Sequence, residues 1–144
     1  MQANNTGGEY WIFTIQIPMW RLARDLNIPV IDITAKSGIK AFAPHWEDLM
    51  AYRRGEMDNR EYSLRYYEKV IPTLRIAPKE WEVLTKHKTF ALACYCAPGS
   101  FCHRHLFAML GVTYLQTLGH SVEFQGELVP HPNNLHRYKR VTNE

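Results

Sequence analysis

Thr89-Phe90-Ala91-Leu92-Ala93-Cys94-Tyr95-Cys96-Ala97-Pro98-Gly99-Ser100-Phe101-Cys102-His103-Arg104-His105 is the stretch on which the fold turns. Residues 89–96 are apolar almost throughout and read as a strand covered on both faces, as in a parallel sheet. Pro98-Gly99 marks a turn, and residues 101–118 read as a long helix that Gly119 stops. Strand, turn and helix in this order are half of a right-handed crossover. The junction then lies at the carboxyl end of a strand, where open α/β sheets carry their sites.

The same pattern extends towards both ends. Residues 10–17, rich in aromatic and β-branched side chains, read as a first strand. Pro18 can open a helix, and residues 19–26 have apolar side chains at helical spacing. Residues 29–34 read as a second strand, with Asp32 near its end. A loop over 35–44 turns at Ser37-Gly38, and 45–53 looks helical. Asp58 followed three residues later by Glu61 is a helix-capping pattern. Tyr62, Tyr66 and Val70 then share one helical face up to Pro72 and read as core packing. Residues 78–86 form another short helix, and 121–128 alternate as a last strand, read as an edge. The tail over 130–144 holds two prolines, adjacent asparagines and the basic cluster His136, Arg137, Lys139 and Arg140, and reads as a solvated extension.

These elements predict a flexible N-terminus over 1–8, an α/β domain over 9–129 and a C-terminal extension over 130–144. The domain is expected to be a single three-layer, Rossmann-like unit with a mainly parallel sheet of about four or five strands. In such a sheet the loops after the second and third strands emerge on the same edge. That brings Lys36-Ser37-Gly38 towards the cysteine segment.

The chain of 144 residues is 46% hydrophobic and 22% charged, an ordinary globular composition. No apolar run reaches the roughly 18 residues that span a membrane, so no membrane partner is expected. The apolar stretch 11–17 lacks a charged segment before it and a small-residue cleavage site after it, which reads against a signal peptide. All three cysteines crowd into nine residues, which is no disulfide framework and points to a reducing, cytoplasmic setting. The net charge of +3 does not by itself imply nucleic acid, though the basic tail leaves that partner open. Acids are absent over 83–122 and over 33–46, whereas Lys36, Lys40, Lys86, Lys88 and Arg104 are present. Two such loops meeting would form a positive site for an anion.

The cysteine segment admits three chemistries. Cys94 and Cys96 point to one face of a strand, and with Cys102 and His103 they offer four soft or borderline ligands. Their spacing is not a common zinc pattern, and a helix turns Cys102 and His103 roughly 100° apart. The predicted site therefore carries no metal, although a Cys/His metal site stays as an alternative. A helix N-terminus also lowers a cysteine pKa, which favours Cys96 or Cys102 as a thiolate with His103 and Asp32 assisting. Finally, Gly99 and Ser100 before the helix can present backbone N–H groups to an anion. Arg104, with Lys36, Ser37, Gly38 and Lys40 from the neighbouring loop, would add charge-assisted bonds. Because acids are absent nearby, Arg104 is expected to face a solvent-filled pocket.

The run CYCAPGSFCHRHLFA resembles the hallmark of the domain of unknown function 488 family, with its cysteine-bearing strand, Pro-Gly turn and Cys-His-Arg helix start. A second echo lies in Asp32-Ile33-Thr34, Lys36-Ser37-Gly38 and Phe42-Ala43-Pro44. The resemblance implies a compact α/β sheet and carries the family motif onto Cys96, Cys102, His103 and Arg104, and onto Asp32, Lys36 and Ser37. The first loop departs from it, with Gln16 and Pro18 where a Gly-His-Ser-like turn is common.

The leading expectation is a domain that binds an anionic small molecule, a nucleotide or nucleic-acid-derived group. Whether it also acts on that molecule stays open, as does the cofactor. The alternative is a non-enzymatic module with a metal site or a protein-partner surface.

Overall fold

A computed structural model describes residues 9–96, 101–131 and 134–141. The stretch expected to be flexible, 1–8, lies outside them, and so do Gly99 and Ser100. The strands are β1 (Glu9–Gln16), β2 (Val30–Asp32), β3 (Thr89–Cys94), β4 (Ser121–His131) and β5 (Asn134–Val141). The helices are α1 (Trp20–Asp25), α2 (Trp46–Arg53), α3 (Asn59–Val70), α4 (Thr73–Ile76), α5 (Pro78–Trp81) and α6 (His103–Thr117). Short 3-10 turns cover Ile17–Met19, Lys40–Phe42 and Glu82–Thr85.

The sheet has the order β2-β3-β1-β4-β5. Its first four strands are parallel, as the apolar runs predict, and β5 returns antiparallel. Side chains alternate between two buried faces. Tyr10, Ile12, Phe90 and Leu92 pack with Tyr66, Val70, Trp81, Leu84, Phe107 and Leu115 on one side. Phe13, Ile15, Ala91, Ala93 and Leu128 pack with Leu22 and Ala23 of α1 on the other. Helices therefore cover both faces, and the three-layer α/β domain stands.

Several local signals act as read. Pro18 sits in the first turn of the helical segment after β1. Asp58 caps α3 by accepting from the backbone N–H of Glu61 at 2.8 Å, and Tyr62, Tyr66 and Val70 are buried. Gly119 follows the last residues of α6 with a φ of +92°.

The C-terminal region differs from expectation. β4 runs on through Pro130 to His131, so it crosses the boundary set at 129/130. It is also no edge, because β5 pairs along it from Asn134 to Val141. The supposed solvated extension is thus largely strand backbone. A chain that reverses within a few residues can pair only antiparallel, and doing so covers the row of N–H and C=O groups that β4 would otherwise expose. The two prolines and paired asparagines masked this, since they read as loop.

After β2 the chain folds tightly on itself. Gly38 N–H donates to the Thr34 carbonyl and Ile39 N–H to the Asp32 carbonyl. A Cβ at Gly38 would lie 2.6 Å from the Asp32 carbonyl oxygen and nearer still to the Thr34 nitrogen. Both are backbone atoms that cannot swing away. Gly38→Ala should therefore cost about 1–3 kcal/mol, the scale of an overpacked site. Denaturant unfolding checks this, with Gly55→Ala, whose glycine has nothing near it but a φ of +78°, as a control for strain without crowding.

Candidate functional site

β3 pairs up to Cys94 and then leaves the sheet, so Cys96 stands beyond its carboxyl end. Cys102 is the N-cap of α6, which returns over the same face. The result is a cluster in which the Sγ atoms of Cys94, Cys96 and Cys102 all lie within 4.8 Å of one another. The sulfurs of Cys94 and Cys102 are 2.6 Å apart. Both are buried, at 1% and 2% exposure, whereas Cys96 is half-buried. Cys102 was read as a reactive cysteine beside Cys96; the helix start is instead packed under the sheet end, so only Cys96 is accessible.

Arg104 is the main correction. It does not face solvent: its side chain is fully buried and pairs with Glu127, which is equally buried. Nε donates to Glu127 Oε1 at 3.1 Å and an Nη to Oε2 at 2.9 Å, a bidentate pair. The hydroxyl of Thr14 adds a donor to Oε1 at 2.5 Å. The other Nη donates to Cys94 Sγ at 3.0 Å and to the Cys96 carbonyl at 2.9 Å. The acid that sequence could not find lies 23 residues on, in β4.

It reaches Arg104 through a bulge. Ile12 pairs with Phe124 but Phe13 with Gly126, so Gln125 is skipped. Gly126 takes a φ of +95°, which glycine adopts freely. The extra residue shifts the alternation by one and turns Glu127 onto the face of Thr14 and α6; without it Glu127 would face α1.

The loop after β2 forms the facing wall. Asp32 accepts from Thr34 N–H at 2.8 Å and from the Ser37 hydroxyl at 2.7 Å. Burial raises its carboxyl pKa, but the bonds from Ser37 and Thr34 outweigh this and the net direction is downward. Asp32 is therefore an ionised brace for the loop, turned away from the cysteines. Lys40 also folds back, with Nζ on the carbonyls of Ala35 (2.5 Å) and Lys36 (3.1 Å). Gly38 serves the turn.

Between the two walls lies a cleft of about 500 Å³. The structure brings Lys36, Ser37, Cys96 and His103 of the expected residues to its lining, together with Cys94. It adds Trp46, Leu49 and Arg53 from α2, which sequence reading passed over. The only available signal was an arginine and a tryptophan on a short helix with little apolar periodicity. Lys36 Nζ lies 5.6 Å from the Trp46 ring centre, within cation–π range. Among the described residues no carboxylate lines this cleft.

His103 is buried on the cleft floor. Its Nε2 is 2.6 Å from the Ile33 carbonyl, which fixes that nitrogen as the N–H donor and leaves Nδ1 as an acceptor 3.7 Å from Cys102 Sγ. Burial lowers its pKa to about 4, against the partial rise from that bond. The thiols divide. Burial pushes Cys94 and Cys102 up, while hydrogen bonds from Cys102 and Cys94, with Arg104 nearby, hold Cys96 well below the ordinary thiol range. The cluster therefore favours a single thiolate, on the one cysteine that meets solvent. Three sulfurs so close could also hold a metal.

A fold, a sheet-edge site and a cysteine cluster of this kind define an α/β domain of thiol-bearing character. The chain belongs to the DUF488-N3a family, described as the active DUF488-N3 subclade, whose model matches residues 4–111. No curated protein and no solved structure matches the chain. Among the described residues no helix is long and apolar enough to cross a membrane.

Two outcomes follow from this geometry. Arg104→Ala leaves Glu127 buried without its partner and should cost about 3–5 kcal/mol in denaturant unfolding, the scale for a broken buried ion pair. The second concerns pH. His103 takes up its proton near 6.5 when unfolded but only near 4 when folded. Its contribution to stability is complete above the higher value and falls as pH drops towards the lower. His105, lowered to about 4 by burial, acts in the same sense. Unfolding free energy measured between pH 7 and 5 should decline, and His103→Gln should flatten that decline by about 1.4 kcal/mol per pH unit.

Proposed function

We propose that the cleft binds an anionic small molecule with an aromatic ring, a nucleotide or nucleic-acid-derived group, and that Cys96 is the nucleophile that acts on it. The observation that carries this is the cleft's make-up: one accessible cysteine facing two cations and an exposed tryptophan. Neither Lys36 nor Arg53 has an ion-pair partner among the described residues. Both are therefore available for charge-assisted bonds to an anion. Trp46, 45% exposed at the rim, offers a face for a base to stack on. The volume suits a ligand of this size. The description of the subclade as active supports a reaction beyond binding alone. In this reading Arg104 is a positioning residue: by holding the Cys96 carbonyl and Cys94 Sγ it fixes the end of β3 and the direction of Cys96.

A second reading, a metal site, rests on the mutual approach of the three sulfurs. A zinc–sulfur distance of about 2.3 Å sets two tetrahedral thiolates well over 3 Å apart, so Cys94 and Cys102 would have to separate. His103 has committed Nε2 to Ile33, so a fourth ligand would come from its Nδ1 or from the cleft. Metal analysis of protein purified without an affinity metal tests this reading: one thiophilic ion per chain supports it.

The leading reading is tested with a panel of mononucleotides and inorganic phosphate. A bound nucleotide should slow alkylation of Cys96, read by mass spectrometry. Lys36→Ala and Arg53→Ala should each weaken binding about tenfold or more, the loss of a charge-assisted bond. Cys96→Ser should keep binding and lose any turnover. No nucleotide protecting Cys96, and none raising the melting temperature, overturns the proposal.

A further inference from the structure

The three cysteines differ in access far more than in separation. Cys96 is half-buried at the cleft, Cys94 reaches its lining with only 1% exposure, and Cys102 is buried behind them. All three sulfurs nonetheless lie within 4.8 Å of one another, and those of the buried Cys94 and Cys102 are 2.6 Å apart. A nucleophilic thiol alone would need neither neighbour. A core position alone would not gather two more sulfurs beside the one that faces the cleft. We propose that the trio is a thiol relay in which a hydroperoxide-class oxidant reacts at Cys96 and the oxidising equivalents end as a buried Cys94–Cys102 disulfide.

The chemistry balances in three steps. The Cys96 thiolate attacks the peroxide oxygen, the O–O bond breaks, and with one proton the products are Cys96 sulfenic acid and an alcohol, or water from hydrogen peroxide. The Cys102 thiol then attacks the Cys96 sulfur, releases water and forms a Cys96–Cys102 disulfide. The Cys94 thiol gives up its proton and attacks the Cys102 sulfur, the Cys96–Cys102 bond breaks, and Cys96 leaves as a thiolate; the released proton replaces the one taken up in the first step. Two thiols and one hydroperoxide thus give one disulfide, one alcohol and one water, and Cys96 returns to its starting state. Thiol–disulfide exchange requires an attacking sulfur near the disulfide, and this arrangement supplies one at every step. Arg104, donating to Cys94 Sγ, stands where it can stabilise negative charge on that sulfur as it attacks. The outcome would shield the accessible cysteine from further oxidation to sulfinic acid.

The relay rests on Cys96 being the accessible thiol of the cleft, not on what the cleft binds. Reduced full-length protein, freed of reductant, is treated with one equivalent of hydrogen peroxide. It is then alkylated under denaturing conditions at acidic pH and mapped by mass spectrometry. The expected product is a Cys94–Cys102 disulfide with Cys96 alkylated. Cys94→Ser should halt at a Cys96–Cys102 disulfide. Cys102→Ser should lengthen the life of the sulfenic acid, trapped at Cys96 by dimedone. Cys96→Ser should slow formation of the buried disulfide at least tenfold. The proposal falls if Cys96→Ser forms that disulfide at the wild-type rate, or if wild-type Cys96 passes to sulfinic acid while the other two stay reduced. Mapping of the wild-type protein decides the matter even where a variant fails to fold. Nucleotide binding by the reduced protein is measured separately; its absence with the relay intact removes the ligand reading alone.

Discussion

The contact between Arg104 and Glu127 organises everything around it. A guanidinium and a carboxylate, both sealed from water, are stable together because each is held by several partners: two bonds between them, one from Thr14 to the carboxylate, and two from the guanidinium to Cys94 and Cys96. The pair ties three strands and a helix to one point. β1 supplies Thr14, β4 supplies Glu127, α6 supplies Arg104, and the end of β3 is held by what remains. A single extra residue at Gln125-Gly126 makes this feasible, since without it the carboxylate would sit on the opposite face. The bulge is thus part of the site, although it lies outside the cleft.

From that point the chemistry separates into a closed and an open half. On the closed side are Cys94, Cys102 and the neutral ring of His103, whose burial holds protons on the two thiols and keeps one off the imidazole. On the open side are Cys96, Lys36, Arg53 and Trp46. The two walls of the cleft are rigid for different reasons. The β3–α6 wall is fixed by the buried ion pair. The β2 wall is fixed by a turn in which Asp32, Thr34 and Ser37 satisfy one another over a glycine that cannot be replaced without collision. Asp32, expected to assist the thiolate, and Lys40, expected to bind the anion, instead hold that turn together, whereas Lys36 beside them lines the cleft.

Much of this was legible in the chain. The apolar runs and their turn residues carry enough information to predict parallel strands, the α6 boundary at Gly119, the Asp58 cap and the meeting of the 36–38 loop with the cysteine segment. Other features were not. The period of two expected to put Cys94 and Cys96 on one strand face does not apply, because the strand ends at Cys94; their sulfurs meet beyond it. Arg104 looked unpaired because proximity in sequence was taken for proximity in space, and the nearest acids in the chain are not the nearest in the fold. Trp46 and Arg53 sit on a short helix whose pattern does not mark one face as functional. The tail looked solvated because strand pairing depends on an available partner edge, which no local composition reveals.

The division has a physical basis. Periodicity, turn chemistry and capping are properties of neighbours in the chain, so the sequence by itself determined the α/β architecture and the position of the cysteine segment at the carboxyl end of a central strand. Burial and pairing are properties of neighbours in space. Only the tertiary structure decided which cysteine meets solvent, that Glu127 is the partner of Arg104, and which cations line the cleft. A glycine-borne bulge of one residue moved a carboxylate from one face of the sheet to the other, and that shift is set by strand register, which emerges only when β1 and β4 lie side by side.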